Sequence, residues 1–252
     1  MSGHSKWHNI KLKKGKVDAQ RGALFTKLSK EIILAAKGGS ADPEANYRLK
    51  MAVEKARENN VPAENIKRAI ARATGGDGAR EIEEIRYEGY GPANVAVIVD
   101  AATDNRNRTA SELRFLFSRH DGALGETGSV AWTFEPRGLI EVENGKLDED
   151  ALTEAALVDG VVDVHYGGGS AEDRSTIVTE PAELASARNA LIANGLRVTS
   201  MVLGVEPKQT VAPKGEVLRT VVDFLDALEE HEDVQRVWAN ADIDVAELEA
   251  LA

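Results

Sequence analysis

Eight cations, Lys6, Lys11, Lys13, Lys14, Lys16, Arg21, Lys27 and Lys30, stand in the first thirty residues against a single acid, Asp18. Trp7 lies between Lys6 and His8, and Gly3, Gly15 and Gly22 are interspersed. Lysine neutralises phosphate, an indole offers a stacking face to an unpaired base, and glycine lets backbone come close. That is the composition of an arm that orders on nucleic acid. On composition alone, a solubilising terminus without fixed structure fits equally well. A second chemical stretch, "TDNRNRT" at 103–109, falls where a strand gives way to a helix. Asp104, Asn105 and Asn107 can cap exposed backbone N–H groups there, while Arg106 and Arg108 place two charges at the positive helix end. Such charges require an anion. Internal carboxylates would make the stretch a structural cap; an RNA phosphate or a partner's carboxylate would make it a binding site.

No catalytic residue emerges. His4 and His8 have a four-residue spacing but no acidic or cysteine third ligand nearby, so they read as polar residues of the arm and not as metal ligands. "DGALGETGS" lacks the lysine and hydroxyl residue of a phosphate-binding loop and precedes a strand, so it reads as a connection. The serine of "YGGGSAEDRS" is not flanked as a nucleophile elbow requires. Glu141, Glu143, Asp148, Glu149 and Asp150 fall on solvated helix starts and strand faces. The chain therefore reads as a non-enzyme with no metal, cofactor or small-molecule substrate.

Charge is distributed unevenly over the 252 residues, whose net charge is −11. Residues 1–72 hold 16 Lys and Arg against 7 Asp and Glu; taking these from the totals of 31 and 42 leaves 15 and 35 for 73–252, a balance of −20. A basic segment that seeks a polyanion is joined to acidic domains that would repel one. Acidity that only confers solubility is the plainer account of those domains. The 42 % hydrophobic content suffices for real cores, and the lack of cysteine suits a reducing cytoplasm. The charged start predicts neither a signal peptide nor a membrane span.

The elements that must position these residues follow from periodicity. "DAQRGALFTKLSKEIILAAKGG" places Leu24, Leu28 and Ile32 four apart and stops at Gly38-Gly39. "DPEANYRLKMAVEKARENN" predicts a second helix capped by Asp42 with Pro43 in its first position, and "VPAENIKRAIARATGG" a third starting at Pro62. Their polar faces carry Lys27, Lys30, Arg48, Lys50, Lys55, Arg57, Lys67, Arg68 and Arg72. Beyond residue 78 the period becomes two. Strands "EIRYEGY" and "NVAVIVDAAT", the helix "RNRTASELRFLFSRH" and a strand "SVAWTFEP" form one fragment. The pattern restarts at Gly138 as β-α-β-β-α-β, a complete ferredoxin-like unit. The helix "EVLRTVVDFLDALEEH" and strand "VQRVWANA" then supply what the first fragment lacks. The fold class is α+β: a three-helix domain followed by two ferredoxin-like domains, one inserted into the other. The expected limits are an arm at 1–17, a helical domain at 18–78, an α+β domain at 79–136 plus 206–243, an inserted domain at 137–205 and a tail at 244–252.

"GHSKWHNIKLKKGKVDAQRG" resembles the opening of the YebC family, whose human mitochondrial relative is a translational activator of cytochrome oxidase subunit one. The similarity continues through "NVPAENIKRAI", "YEGYGP", "TDNRNRT", "GSVAWTFEPRG" and "DVQRVWAN", nearly the whole chain. "WANADI" departs from the family with tryptophan and alanine where tyrosine and an aromatic are usual. The absence of a transit peptide suits a bacterial form. The resemblance implies three domains and a regulator of gene expression, described in some members as DNA-binding and transcriptional and in others as acting on the ribosome. Between these, the helices show no helix-turn-helix signature, and the aromatic pairs of RNA-recognition motifs are missing. A Lys/Gly arm with one tryptophan suits irregular RNA better than a duplex groove, so ribosomal or transfer RNA, with the ribosome as a candidate partner, is preferred to DNA. A purely acidic protein-interaction module is the third reading.

Overall fold

The computed structural model of the chain describes residues 19–75, 81–168 and 173–250. Three helices come first: α1 (Ala19–Lys37), α2 (Tyr47–Glu58) and α3 (Ala63–Ala73). Leu28 and Ile32 of the α1 stripe are buried with Leu49, Ala52, Val53 and Ala56 of α2 and Ile66 and Ala69 of α3. Leu24, at the start of that stripe, remains 38 % exposed. The small alanines of α2 let the three helices approach closely around the branched side chains.

Helix α2 starts at Tyr47 and not at Pro43. Asp42 Oδ1 accepts from Glu44 N within a turn, and the cap is Asn46, whose Oδ1 accepts from Leu49 N at 3.1 Å. Asn46 Nδ2 also donates to Ala35 O at 2.8 Å and Ser40 O at 2.7 Å, tying the loop to the end of α1. An aspartate has no hydrogen to make those bonds.

Strands β1 (Glu83–Tyr90) and β2 (Ala96–Thr103) pair antiparallel, from Glu83 opposite Thr103 to Tyr90 opposite Ala96. Helix α4 (Arg106–Arg119) follows, then a two-residue strand, β3 (Ala123–Leu124). After the second sheet come α7 (Gly215–Glu230) and β8 (Val234–Ala239), giving a first sheet of order β3-β1-β2-β8. Phe117 of α4 meets Phe224 of α7 edge to face at 5.0 Å. The second sheet runs β4 (Phe134–Glu143), α5 (Glu149–Ala155), β5 (Val161–His165), β6 (Arg174–Thr179), α6 (Leu184–Ala193) and β7 (Arg197–Pro207), in spatial order β5-β6-β4-β7. Ile140, Val142, Leu152, Ile177, Leu184 and Leu191 fill its core. A last helix, α8, covers Val245–Ala250. The chain is thus α+β, three helices followed by two antiparallel sheets, and the strands of the second sheet interrupt the sequence of the first.

One strand differs from the sequence pattern. "SVAWTFEP" and "LIEVE" are not two strands with a break at Gly138 but one, β4, preceded by a single helical turn at Ala131–Thr133. Gly138 pairs with both Thr179 and Leu203. A Cβ there would collide with Thr179 Oγ1 and lie 2.9 Å from Leu184 Cδ1, so the glycine answers a close approach and marks no turn. The described residues form two compact units, 19–129 with 220–237 and 130–219 with 238–250.

Candidate nucleic-acid interface

Lys6, Trp7, Lys11, Lys13, Lys14 and Lys16, with His4 and His8, lie outside the described residues. Arg21 stands in the first turn of α1. Of the remaining sequence candidates, Lys27 and Lys30 come from α1 and Arg106 and Arg108 from the start of α4. Two of these meet at one carboxylate. Lys30 Nζ and Arg108 Nη2 both reach Asp233, Arg108 at 3.0 Å from Oδ1 and 2.8 Å from Oδ2. The Asp233 side chain is fully buried and that of Lys30 is 12 % exposed.

The "TDNRNRT" backbone builds this joint. Asn105 is the cap, its Oδ1 accepting from Arg108 N at 3.2 Å. Thr103 Oγ1, at the end of β2, accepts from Asn105 N at 2.9 Å. The Thr109 hydroxyl lies 2.6 Å from Asp233 Oδ2 and donates to it. Burial alone would push the Asp233 carboxyl up. Hydrogen bonds from Lys30, Thr109 and Arg108 outweigh burial and hold it at about 2, against an ordinary 3.8. Of the two arginines that the sequence leaves without an anion, Arg108 therefore has an internal one. Lys27 likewise donates to Glu229 O near the end of α7, where carbonyls carry the negative end of the helix dipole.

Asp233 is the residue that sequence reasoning missed. In "HEDVQRV" it resembles any solvated acid between a helix and a strand, and only its place at the head of "DVQRVWAN" sets it apart. Its neighbours are equally committed. His231 Nδ1 accepts from Asp233 N at 3.1 Å, which leaves Nε2 to donate to Glu112 Oε2 at 2.9 Å. Glu112, His231 and Asp233 bring ligand-type atoms within 4.8 Å of one another. With both imidazole nitrogens engaged and two cations on Asp233, this is an ion-pair network and not a cation site.

Other cations divide into paired and unpaired. Arg48, Lys50 and Lys55 bridge to Glu84, Glu44 and Glu31 at 2.9, 3.1 and 3.0 Å. Burial would raise the Glu31 carboxyl, but Lys55 and Arg236 hold it below the usual carboxylate range. Arg57, Lys67 and Arg68 are exposed on α2 and α3, with no carboxylate at ion-pair distance among the described residues. Arg106 has a side chain 67 % exposed, with Nε 3.7 Å from Glu83. These four charges are turned toward solvent.

Comparison with known proteins agrees with this organisation. Residues 5–76 match the TACO1/YebC protein N-terminal domain, and residues 82–241 match the TACO1/YebC second and third domain. A protein of Pelotomaculum thermopropionicum named probable transcriptional regulatory protein is 50 % identical over 97 % of this chain and 100 % of its own. One of the same name from Rubrobacter xylanophilus is 50 % identical over 96 % of each chain. The crystal structure of a conserved hypothetical protein from Aquifex aeolicus superposes with a TM-score of 0.81 at 43 % identity, over 91 % of this chain and 93 % of its own.

Proposed function

The chain belongs to the TACO1/YebC family, and from that premise we propose that it is a non-catalytic regulator of gene expression that contacts RNA through its N-terminal segment. The supporting observation is the balance of charge: 16 cations against 7 acids in residues 1–72, and −20 in the remainder. Exposed Arg57, Lys67 and Arg68 extend the arm's charge over the helical domain, while Lys30 and Arg108 serve the frame through Asp233. In this reading phosphate contacts fall to Lys6, Lys11, Lys13, Lys14, Lys16 and the exposed bundle cations, and Trp7 stacks on a base. Ribosomal or transfer RNA is the preferred target. The names of the relatives favour a second reading, a DNA-binding transcriptional regulator.

Co-sedimentation with ribosomes, beside filter binding to duplex DNA across a salt series, separates the two. With about five phosphate contacts, affinity for single-stranded RNA falls with salt at a log–log slope near −3.5. Removing residues 1–17 flattens that slope and releases the protein from ribosomes. A truncated protein that sediments with unchanged affinity and slope makes the arm inert. Wild-type protein that ignores ribosomes and prefers one duplex sequence establishes the transcriptional reading.

A further inference from the structure

Trp132 is 68 % exposed on the single helical turn Ala131–Thr133 that leads into β4. The turn beneath it is firmly built. Val130 on one side is fully buried and Phe134 on the other is 3 % exposed. Thr133 N and Oγ1 both donate to Val130 O, at 2.9 and 2.7 Å. From the end of β7, Lys208 N donates to Thr133 O and Lys208 Nζ to Trp132 O, both at 2.9 Å. An indole is thereby held outward on anchored backbone, with an ammonium pinned beside the same residue. That ammonium keeps two further hydrogens to donate.

The surrounding sequence carries the same sign. Residues 207–215, "PKQTVAPKG", hold Lys208 and Lys214 and no acid, although residues 73–252 as a whole balance at −20. Both lysines are exposed. A large aromatic face next to isolated positive charge is the pairing that binds an unpaired nucleotide, since every base has a face to stack and a phosphate attached. A positively charged protein partner would meet the Lys208 ammonium here, which disfavours it.

We propose that Trp132 and Lys208 form a second RNA contact, apart in sequence from the arm, in which one unpaired base stacks on the indole and Lys208 meets its phosphate. The proposal rests on the RNA reading above but on none of the arm residues. Trp7→Phe in the full chain leaves Trp132 and the buried Trp238 as the only indoles. Single-stranded oligouridylate quenches the Trp132 emission of that protein, and duplex RNA of equal length does not. Trp132→Ala weakens oligouridylate binding about 5- to 150-fold, the range for loss of one base–aromatic stack, with an unchanged salt slope. Trp132→Phe keeps most of the affinity. Lys208→Gln reduces the slope by about 0.7. Unquenched emission at saturating oligouridylate overturns the proposal without any change at Trp132, as does wild-type affinity in Trp132→Ala. Intact oligouridylate binding combined with loss of ribosome association in Trp132→Ala makes the site a protein contact instead. Wild-type protein that binds no RNA at all overturns this site together with the function proposed above.

Discussion

Asp233 takes hydrogen bonds from Lys30 on α1 and from Arg108 and Thr109 on α4, so a single carboxylate joins the helical segment to the first sheet's helix. Its carboxyl lies at about 2 in the folded chain, against an ordinary 3.8. The folded state therefore binds this proton less readily than the unfolded chain. The resulting stability is fully present above about pH 4 and is lost as pH falls toward 2. Near two pKa units, the contribution is roughly 2 kcal/mol. Asp233→Asn costs about 3 kcal/mol or more, because Lys30 and Arg108 then face a neutral amide. Denaturant titrations at pH 7 and pH 3 check both points: the variant loses midpoint at pH 7 and much of the wild-type difference between the two pH values. An unchanged midpoint at pH 7 would falsify the joint. The need for an anion near Arg106 and Arg108 is legible in "TDNRNRT", since cations at a helix N-terminus oppose the dipole. Its identity is not, because Asp233 lies 125 positions from Arg108 and reads locally as a surface acid.

At the scale of elements, long periodic segments are legible and close approaches are not. The three helices and the β-α-β-β-α-β order carry their own periods, which the core residues of each then satisfy. Strand β3, with two residues, is too short to leave a period. Gly138 reads as a breaker because sequence does not show that Thr179 and Leu184 press against its Cα. The start of α2 is the sharpest case, since Asp42-Pro43 is a sound helix opening that Asn46 displaces. Asn46 caps Leu49 N and also bonds Ala35 O in the last turn of α1 and Ser40 O in the loop beyond it. Asn46→Ala removes a cap of about 1 kcal/mol and two amide bonds of about 0.5–1.5 kcal/mol each, so a loss of about 2–4 kcal/mol is expected. Asp42→Ala, which breaks one exposed turn bond to Glu44, costs about 0.5 kcal/mol or less. Thermal melts of the two variants rank them. A larger loss in Asp42→Ala would restore the helix start that the sequence suggests.

At the scale of the molecule, the ends of the second sheet's sequence meet. Phe134 pairs with Pro207 across β4 and β7, and just outside them Lys208 N donates to Thr133 O at 2.9 Å. Residues 134–207 contain all four strands, both helices and the core around Ile140 and Leu191, and the prediction is that they fold when cut out as a piece whose removal leaves adjacent ends. The piece loses the Trp238 ring that packs over Gly204, along with the other described residues of its compact unit, 130–133, 208–219 and 238–250, and so unfolds cooperatively at lower denaturant than the same residues in the full chain. Charge then makes the functional consequence calculable. Residues 134–207 hold 5 Lys and Arg against 14 Asp and Glu, and deleting them moves the net charge from −11 to −2. A chain joined from Thr133 to Lys208 through a short glycine linker retains every arm and bundle cation assigned here to RNA while losing acids that repel phosphate, but it also loses Phe134 and β7, which anchor the turn carrying Trp132. Its affinity for oligouridylate at low salt therefore falls by no more than the about 5- to 150-fold expected for the lost Trp132 stack, and its salt slope stays that of the N-terminal cations. The excised piece alone binds none. Filter binding of both proteins beside the full chain decides it: RNA retained by the piece, or lost by the shortened chain while circular dichroism shows it folded, would place the interface on the acidic sheet and remove it from the N-terminal segment.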